Sequence, residues 1–466
     1  MRYPASHDRA RRRARPRGAR LGAALAAVAF LLAGCNAATS SDAPASASVA
    51  LPSSAVGASG GGVVAPTPAA SISGDPSSSA AAPGSGVIAP SAPPAGSPGP
   101  SGSPPTTDPG GSPQPATGNE AAKFGFRAKG MSHEVMAFVT TSQINYALNT
   151  MDFDVVSTVA FFSLEAGSDG HMRHDGRWTI WNSARVDRLI EMAHAKGTKV
   201  VISLARFAWS PGQTKVSRAI LSSAAKRVSL AEEVAAEVAR RHVDGINIDF
   251  EPIPVGQKAN FTSFVRLVRA DLDRIAPGYQ LTFDVTGHHE SYDVAGSLKP
   301  GGADAVYLMG YHYAGTWSKV AGSTSPLGGP RYDVNDTITS LLRDAKPQQL
   351  IVGLPYYGHT WPTKSAAIHA RTVGGGHDVT YVNAVAAAAR LGGGGFDKVE
   401  QAHWVAFREG GQWYQMYFDD ARSMAAKWDL VKRRKLLGTG IWTIAFEGGA
   451  NALDAQMRRA FLVPKS

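Results

Sequence analysis

The sequence predicts a TIM-type (β/α)8 barrel from about residue 123 to residue 466, with a small α+β insertion between its seventh and eighth strands. Eight short runs rich in β-branched and aromatic residues are bounded by turn-forming residues, which is typical of strands. Amphipathic segments such as 183–196, 230–241 and 261–275 separate many of these runs. Strands that alternate with helices favour a parallel sheet, and eight such units favour a closed barrel over an open doubly wound sheet.

The strand candidates recur along the whole region after residue 123. They are Glu134–Val139, Val155–Phe162, Lys199–Leu204, Val243–Glu251, Gln280–Val285, Ala305–Tyr311, Leu350–Leu354 and Gly440–Thr443. No glycine-rich phosphate loop follows the first strand, which weakens the alternative of a dinucleotide-binding open sheet. The interval before the last strand is too long for one helix, so residues 362–420 are predicted to form an insertion that walls a cleft at the barrel mouth.

The N-terminal 35 residues have the pattern of a bacterial lipoprotein signal peptide. Residues 1–20 hold eight Arg and one Asp, and residues 21–34 are apolar and uncharged. This apolar run is too short to span a membrane but suits a signal-peptide core. It ends in Leu32-Ala33-Gly34-Cys35, which resembles a lipobox, so we expect lipidation of Cys35 and anchoring to the outer face of the membrane. The alternative is an ordinary secretory signal with a chance cysteine.

Residues 36–122 are mostly Ala, Ser, Pro and Gly and are predicted to form a disordered tether. Cys35 is the single cysteine, so a disulfide within the chain is excluded. The formal net charge of +10 is concentrated partly in the leader, and no nucleic-acid-binding module is recognisable. We therefore expect no nucleic-acid partner, and we expect the protein to be a monomer.

The fourth strand candidate carries a row of polar residues. Because residues two apart on a strand point the same way, Asn247, Asp249 and Glu251 share one face, while Ile248 and its apolar neighbours share the other. Polar groups directed into a barrel are costly unless they are used or well paired. A buried structural network and a metal site are alternative interpretations, although no histidine with ligand-like spacing lies nearby.

This strand and three other segments resemble glycoside hydrolase family 18, the chitinase family, over residues 123–466. The resemblance rests on Asp244-Gly245-x-Asn247-x-Asp249-x-Glu251, Met309-Gly310-Tyr311, Leu354-Pro355-Tyr356-Tyr357-Gly358 and Gly440-Ile441-Trp442. The insertion and the segment 417–423 resemble the branch with bacterial wall-active and spore-cortex members. Members of the family use the 2-acetamido group of the substrate as the nucleophile, an exception among retaining glycosidases.

The resemblance implies hydrolysis of β-linked N-acetylglucosamine polymers, of the chitin or the peptidoglycan type, with no cofactor and no metal. Glu251 would be the acid and base, and Asp249 and Tyr311 would hold the acetamide. The residues expected to bind substrate are Asn247, Trp442, Met309, Tyr356, Tyr357, His312, Phe138 and Phe161. A catalytically inactive sugar-binding surface protein on the same barrel is the alternative function.

Three departures from the family pattern carry expectations of their own. Asn247 replaces an Asp, so we expect an amide hydrogen bond to Asp249, no proton shared between two Asp side chains, and an altered pH profile. Ser203-Leu204-Ala205-Arg206 replaces Ser-x-Gly-Gly, which bears on packing under the site. His312 replaces an Asp and either contacts the site or faces outward.

Several other residues are candidates for a role near the mouth. Asp284 is expected to point inward and to make a secondary polar contact. His288, His289, His312 and His359 lie at strand ends but match no compact metal motif. Trp361, Trp404 and Trp413 either bind sugar rings or form the core of the insertion, and the core is the favoured interpretation.

Overall fold

The structure is a computed structural model that describes residues 130–329, 332–449 and 451–463. The predicted leader, Cys35, the tether 36–122 and the first residues of the predicted domain lie outside the described residues. The strands in chain order are β1 Glu134–Thr140, β2 Thr158–Glu165, β3 Lys199–Phe207, β4 Gly245–Glu251, β5 Gln280–Val285, β6 Ala305–Met309, β7 Leu350–Pro355, β8 Tyr357–Thr363, β9 His377–Thr380, β10 Gly395–Asp397, β11 Ala402–Glu409, β12 Gln412–Phe418 and β13 Gly438–Trp442.

Strands β1 to β7 and β13 close into a parallel barrel in the order β1-β13-β7-β6-β5-β4-β3-β2. This confirms the predicted (β/α)8 barrel. The described helices are α1 Ile144–Thr150, α2 Gly176–Trp181, α3 Ala184–Ala195, α4 Pro211–Leu221, α5 Ala224–Arg240, α6 Lys258–Ile275, α7 Val294–Ser297, α8 Val334–Leu341, α9 Tyr381–Arg390, α10 Ala421–Arg433 and α11 Ala452–Phe461, with 3-10 turns at Thr141–Gln143, Pro347–Gln349 and Ile444–Glu447. No helix among them combines the length and apolar character needed to cross a bilayer.

The insertion is a five-stranded antiparallel sheet, in the order β10-β11-β12-β8-β9, together with helix α9. It begins at Tyr357, directly after β7, rather than at residue 362 as predicted. The reason is that β7 runs into β8 with one residue between them, and β8 then pairs with β12, for example His359 with Tyr417. Pro355 is the last residue of β7 and Gly358 the second residue of β8, but buried residues continue through both, so neither marks where the insertion begins.

The barrel strands have different neighbours on their two faces. On β4, Ile246, Ile248 and Phe250 face outward into the main hydrophobic core. The ring of Phe250 stacks at 5.5 Å on Phe264 of α6. The inner face of β4 therefore carries the polar residues, as the alternation of the strand predicts.

The barrel interior is filled by large side chains that require small partners opposite them. Tyr307 of β6 is fully buried inside the barrel. A Cβ atom at Gly353 or Gly440 would lie 2.3 Å or 2.1 Å from the Tyr307 side chain, too close for any side chain. These two glycines on β7 and β13 therefore make room for the tyrosine, which lies beneath the polar layer described next.

Candidate active site

A cavity opens at the C-terminal ends of the barrel strands, where TIM barrels hold their active sites. Its walls combine aromatic rings with three carboxyl groups. The residues that line it are Phe138, Phe162, Phe207, Asp249, Glu251, Asp284, Met309, Tyr311, His312 and Trp442. All three residues predicted to be catalytic, Glu251, Asp249 and Tyr311, are brought together here.

The polar row of β4 is set by the register of the neighbouring strands. Asn247 lies opposite Ser203 of β3 and Thr282 of β5, and Glu251 lies opposite Phe207 at the rim. Ser203 Oγ donates to Asn247 Oδ1 at 3.1 Å, so the first residue of the altered β3 motif supports the row from below. The structure thus stacks an amide layer under a carboxyl layer at the barrel mouth.

Asn247 does not make the predicted hydrogen bond to Asp249. Its Nδ2 atom donates instead to Asp284 Oδ1 at 2.6 Å and to Thr282 Oγ1 at 3.0 Å. Residues two apart on one strand are separated by about 6.6 Å, whereas an adjacent strand lies at about 4.8 Å, so the short amide reaches across to β5. Asn247 lies under the cavity and does not line it.

Three carboxyl groups meet in the cavity, because Asp284 of β5 points inward, as expected, and joins Asp249 and Glu251. Hydrogen bonds link the Asp249 side chain to both Glu251 and Asp284. Asp249 and Asp284 are each 2% exposed and Glu251 is 6% exposed. Position 247 shares no proton with Asp249, since it is an amide, and Asp284 from β5 supplies a second aspartate next to Asp249 instead.

Burial governs the ionisation of this cluster. Burial raises the pKa of Asp249 to about 7. The hydrogen bonds from Glu251 and Asp284 have the opposite effect and lower this pKa, but burial is the larger effect. Burial and the adjacent Asp249 charge raise the pKa of Glu251 well above the ordinary value of a glutamate. The same two causes raise the pKa of Asp284 well above the ordinary value of an aspartate. Asp249 therefore ionises first, and Glu251 keeps its proton at neutral pH as a general acid must.

Aromatic side chains form one wall of the cavity. The ring of Trp442, at the end of β13, lies 4.7 Å from Phe162 in an edge-to-face arrangement and 5.5 Å from Phe138. Trp442 is only partly buried, so part of its ring remains accessible to a ligand. A partly exposed indole at a barrel mouth is suited to stacking on the apolar face of a sugar ring.

The opposite wall is formed by residues that follow β6. Tyr311 packs against Tyr357 of β8 with their rings 6.1 Å apart, and burial raises the pKa of Tyr311 well above its ordinary value, so it remains a hydroxyl donor. His312 has a left-handed backbone (φ 65°) that turns its ring toward the cavity. Burial lowers the pKa of His312 to about 3, so this imidazole is neutral at physiological pH.

Four of the eight residues predicted to bind substrate do not line the cavity: Asn247, Phe161, Tyr356 and Tyr357. Phe161 faces outward and packs on Trp181 at 4.7 Å, while its neighbour Phe162 lines the cavity. Tyr356 also faces the outer core, 6.3 Å from Tyr381, whereas Tyr357 lies beside Tyr311. Because successive side chains on a strand alternate, the members of each pair cannot both face the cavity.

Two further residues singled out in the sequence, Arg206 and Trp361, make their contacts away from the cavity. Arg206, at a position where the family has glycine, turns outward and donates to Glu165 at 2.7 Å and to the Ala166 carbonyl. Trp361 is fully buried and donates to the Gly315 carbonyl, in agreement with the favoured core interpretation.

A larger cavity of about 730 Å³ lies at the opposite end of the barrel, near the starts of β5, β6 and β7. Arg269 pairs there with Asp304 at 2.8 Å and Asp273 at 3.2 Å. Asp273 and Asp304 are thus paired with a cation, unlike the carboxyl groups at the mouth.

A buried carboxylic acid beside a carboxylate, at the mouth of a closed barrel, defines a site of the glycoside hydrolase type. The family model "Glycosyl hydrolases family 18" matches residues 113–447, which is more than half of the chain. The protein therefore belongs to glycoside hydrolase family 18.

Individual relatives are distant. Bacillus subtilis YdhD, which bears the name sporulation-specific glycosylase, is 24% identical over 243 residues, or 51% of this chain and 56% of YdhD. This chain thus spans little more than half of that relative. Di-N-acetylchitobiase of Rattus norvegicus is 26% identical over 292 residues, or 56% of this chain and 72% of the relative.

Solved structures share the fold. The family 18 chitinase of Cycas revoluta, in complex with (GlcNAc)3, superposes with a TM-score of 0.62 at 19% identity over 70% of this chain and 99% of its own. A chitinase-like agglutinin from Robinia pseudoacacia superposes with a TM-score of 0.61 at 21% identity over 70% of this chain and 98% of its own. At these identities the likeness shows the fold alone.

Proposed function

We propose that the protein hydrolyses β-1,4-linked N-acetylglucosamine polymers, of the chitin or the peptidoglycan type, by a substrate-assisted retaining mechanism. The observation that carries the proposal is the buried pair Glu251 and Asp249 in a cavity walled by Trp442. Membership of family 18 and the chitobiase relative support this choice of substrate.

Glu251 acts as the proton donor. Because burial and the Asp249 charge raise its pKa, Glu251 carries a proton at neutral pH and transfers it to the glycosidic oxygen as the bond to the anomeric carbon breaks. The leaving sugar departs as an alcohol. Glu251, now a carboxylate, then takes a proton from the water that attacks the anomeric carbon from the vacated side.

Asp249 and Tyr311 hold the nucleophile of the first step. Oδ1 of Asp249 is buried and receives no hydrogen bond from an N–H or hydroxyl group of the described residues. The N–H of a substrate acetamide would satisfy this oxygen, and the Tyr311 hydroxyl would donate to the acetamide oxygen. That oxygen attacks the anomeric carbon to give an oxazolinium ion, whose positive charge the Asp249 carboxylate stabilises.

Removing the acid tests the proposal. In Glu251→Gln we expect the full-length protein to lose at least about 100-fold in kcat on chitooligosaccharides or on wall sacculi, with products read by mass spectrometry. Glu191→Gln, an equivalent change at an exposed position on α3, should leave turnover unchanged. Turnover that survives Glu251→Gln would contradict the proposal, and the substrate that is cleaved would decide between chitin and peptidoglycan.

Sugar binding without hydrolysis is the second candidate, favoured by the likeness of the barrel to the Robinia agglutinin. The two candidates differ in one measurement. A hydrolase releases products that Glu251→Gln abolishes, whereas a lectin binds the same oligosaccharides with equal affinity in wild type and Glu251→Gln and releases none.

We further propose that Cys35 carries a lipid that anchors the protein to the outer face of the bacterial membrane, with residues 36–122 as a tether. The support is the apolar run 21–34 followed by Leu32-Ala33-Gly34-Cys35. In Cys35→Ser, fractionation should move the protein from the membrane to the soluble fraction, and unchanged membrane association would contradict the anchor.

A further inference from the structure

Asp284 lies outside the β4 motif and has no role in the steps above, yet it is part of the same cluster. It is carried by β5, opposite Tyr307 of β6, and its side chain lines the cavity. Only 2% of its surface is exposed. A carboxyl group so deeply buried needs defined partners, because burying an unpaired charge is strongly unfavourable.

The contacts of Asp284 place it between an amide and a carboxylate. Asn247 Nδ2 donates to Asp284 Oδ1 at 2.6 Å. The orientation of this amide is fixed, because its other N–H points to Thr282 Oγ1 and its oxygen accepts from Ser203 Oγ. On its other side Asp284 forms a hydrogen bond with Asp249.

A hydrogen bond between two carboxyl groups requires a proton, since two carboxylates can only accept. No Lys or Arg is among the described residues that line the cavity, so no cation neutralises the cluster. The other titratable groups near Asp284 come from three parts of the barrel. Strand β4 contributes Glu251, and the segment after β5 contributes Tyr292. Strand β6 contributes Tyr307, and the segment after β6 contributes Tyr311 and His312.

These neighbours do not supply a charge that could replace the proton. Burial raises the pKa values of Tyr292, Tyr307 and Tyr311 well above their ordinary value and lowers that of His312 to about 3, so all four are neutral at pH 7. The cluster therefore holds its charge on Asp249, with protons on the two outer carboxyls.

We propose that Asp284 is a positioning residue of the hydrolase, which keeps a proton and donates it in a hydrogen bond to Asp249, so that Asp249 stays ionised and oriented beside Glu251. The role of Asp284 in catalysis rests on the proposed function. The proton that Asp284 keeps does not depend on that function. Asp284 forms no bond to substrate in this scheme and acts through Asp249.

Asp284→Asn tests this role, because an amide of nearly the same shape can still accept from Asn247 and donate to Asp249 but has no titrating proton. An amide N–H is a weaker donor than a carboxylic acid, so the ionised form of Asp249 loses stabilisation. We expect the acid limb of kcat/KM to move to higher pH by about one unit, which lowers the rate on that limb about tenfold.

The matched control is Asp454→Asn, which removes another buried carboxyl, one whose pKa burial raises to about 7 but which lies outside the cavity. It should leave the pH profile of kcat/KM unchanged. A profile of Asp284→Asn that superposes on wild type, or a uniform loss of rate without a shifted limb, would overturn the proposal. Circular dichroism verifies folding, and if Asp284→Asn does not fold, Asp284→Glu, which keeps the acid, should retain the wild-type limb.

An infrared titration of the ligand-free, full-length protein separates this inference from the proposed function. At pH 7 the carboxylic-acid C=O band should lose intensity in Asp284→Asn relative to wild type. If wild type hydrolyses nothing but the band is lost, the proposed function fails and the retained proton stands. An unchanged band would overturn the inference even in an active enzyme.

Discussion

The barrel mouth and the inserted region both bury acidic side chains, but they neutralise them in different ways. In and after the insertion, two such acids have basic partners: Asp419 forms a buried hydrogen-bonded ion pair with Lys427 of α10, and Asp397 lies 2.9 Å from His369 Nε2. At the mouth, Glu251, Asp249 and Asp284 contact one another, and their repulsion is reduced by protons and by the Asn247 amide rather than by a cation.

The difference separates structural acids from chemical ones. A buried acid with its own cation is ionised at neutral pH, whereas acids that share protons have separated pKa values and can exchange a proton with a ligand. Contact between acids is not sufficient by itself. Glu447 and Asp454 also interact, but Glu447 Oε1 accepts from the Leu453 N–H at the start of α11, and neither residue lines the cavity.

The largest effect is expected from removing the cation of the structural pair. Lys427→Met leaves Asp419 buried without its partner, which should lower the free energy of unfolding by about 3–5 kcal/mol at pH 8, as measured by urea denaturation. Lys432→Met removes an exposed cation from the same helix and should cost less than about 1 kcal/mol. If both variants lost the same free energy of unfolding, the buried pair would contribute no more to stability than the exposed pair.

The fold and the reactive row could be predicted because both follow from short-range patterns. Alternation along β4 places Asn247, Asp249 and Glu251 on one face whatever the rest of the barrel does. The expected inward direction of Asp284 rests on the same rule. Its contact with Asp249 was not predictable, since that contact depends on the register between β4 and β5, which neither strand encodes alone.

The aromatic walls were predicted only in part for a related reason. Phe161 and Phe162 are both apolar and both buried, and the polar residues of β2 conflict: by alternation Thr158 shares the face of Phe162, whereas Glu165 shares that of Phe161. A register irregularity between Phe162 and Leu164 breaks this alternation. Tyr356 and Tyr357 are likewise both buried, where the chain passes from β7 to β8. Polar residues report the direction of a barrel strand where its alternation is unbroken, and runs of aromatic residues do not.

The pH dependence of stability should distinguish the mouth from the insertion. Because burial raises the pKa of Asp249 to about 7, the folded state binds more protons than the unfolded state between about pH 4 and 7, so the free energy of unfolding falls as pH rises through this range. Asp249→Asn abolishes this contribution and should gain about 2–4 kcal/mol relative to wild type between pH 5 and pH 8.

Urea denaturation of both proteins at the two pH values measures this change. The comparison with wild type is needed because burial also raises the pKa of Asp419 to about 6, so part of the slope persists in the variant. A difference between the two proteins that does not vary with pH would mean that Asp249 is ionised to the same extent in the folded and unfolded states.

The smallest effect should come from two adjacent rings on β2 that belong to different environments. Phe161→Leu shortens a side chain packed on Trp181 and should lower the free energy of unfolding by about 1 kcal/mol without changing kcat or KM. Phe162→Leu alters the wall on which Trp442 rests and should raise KM a few-fold, because the indole loses the ring that fixes its orientation. Steady-state kinetics and urea denaturation of both variants measure these effects. A KM that rises in Phe161→Leu instead would mean that the two rings exchange faces when substrate binds. Phe161, and not Phe162, would then line the cavity beside Trp442.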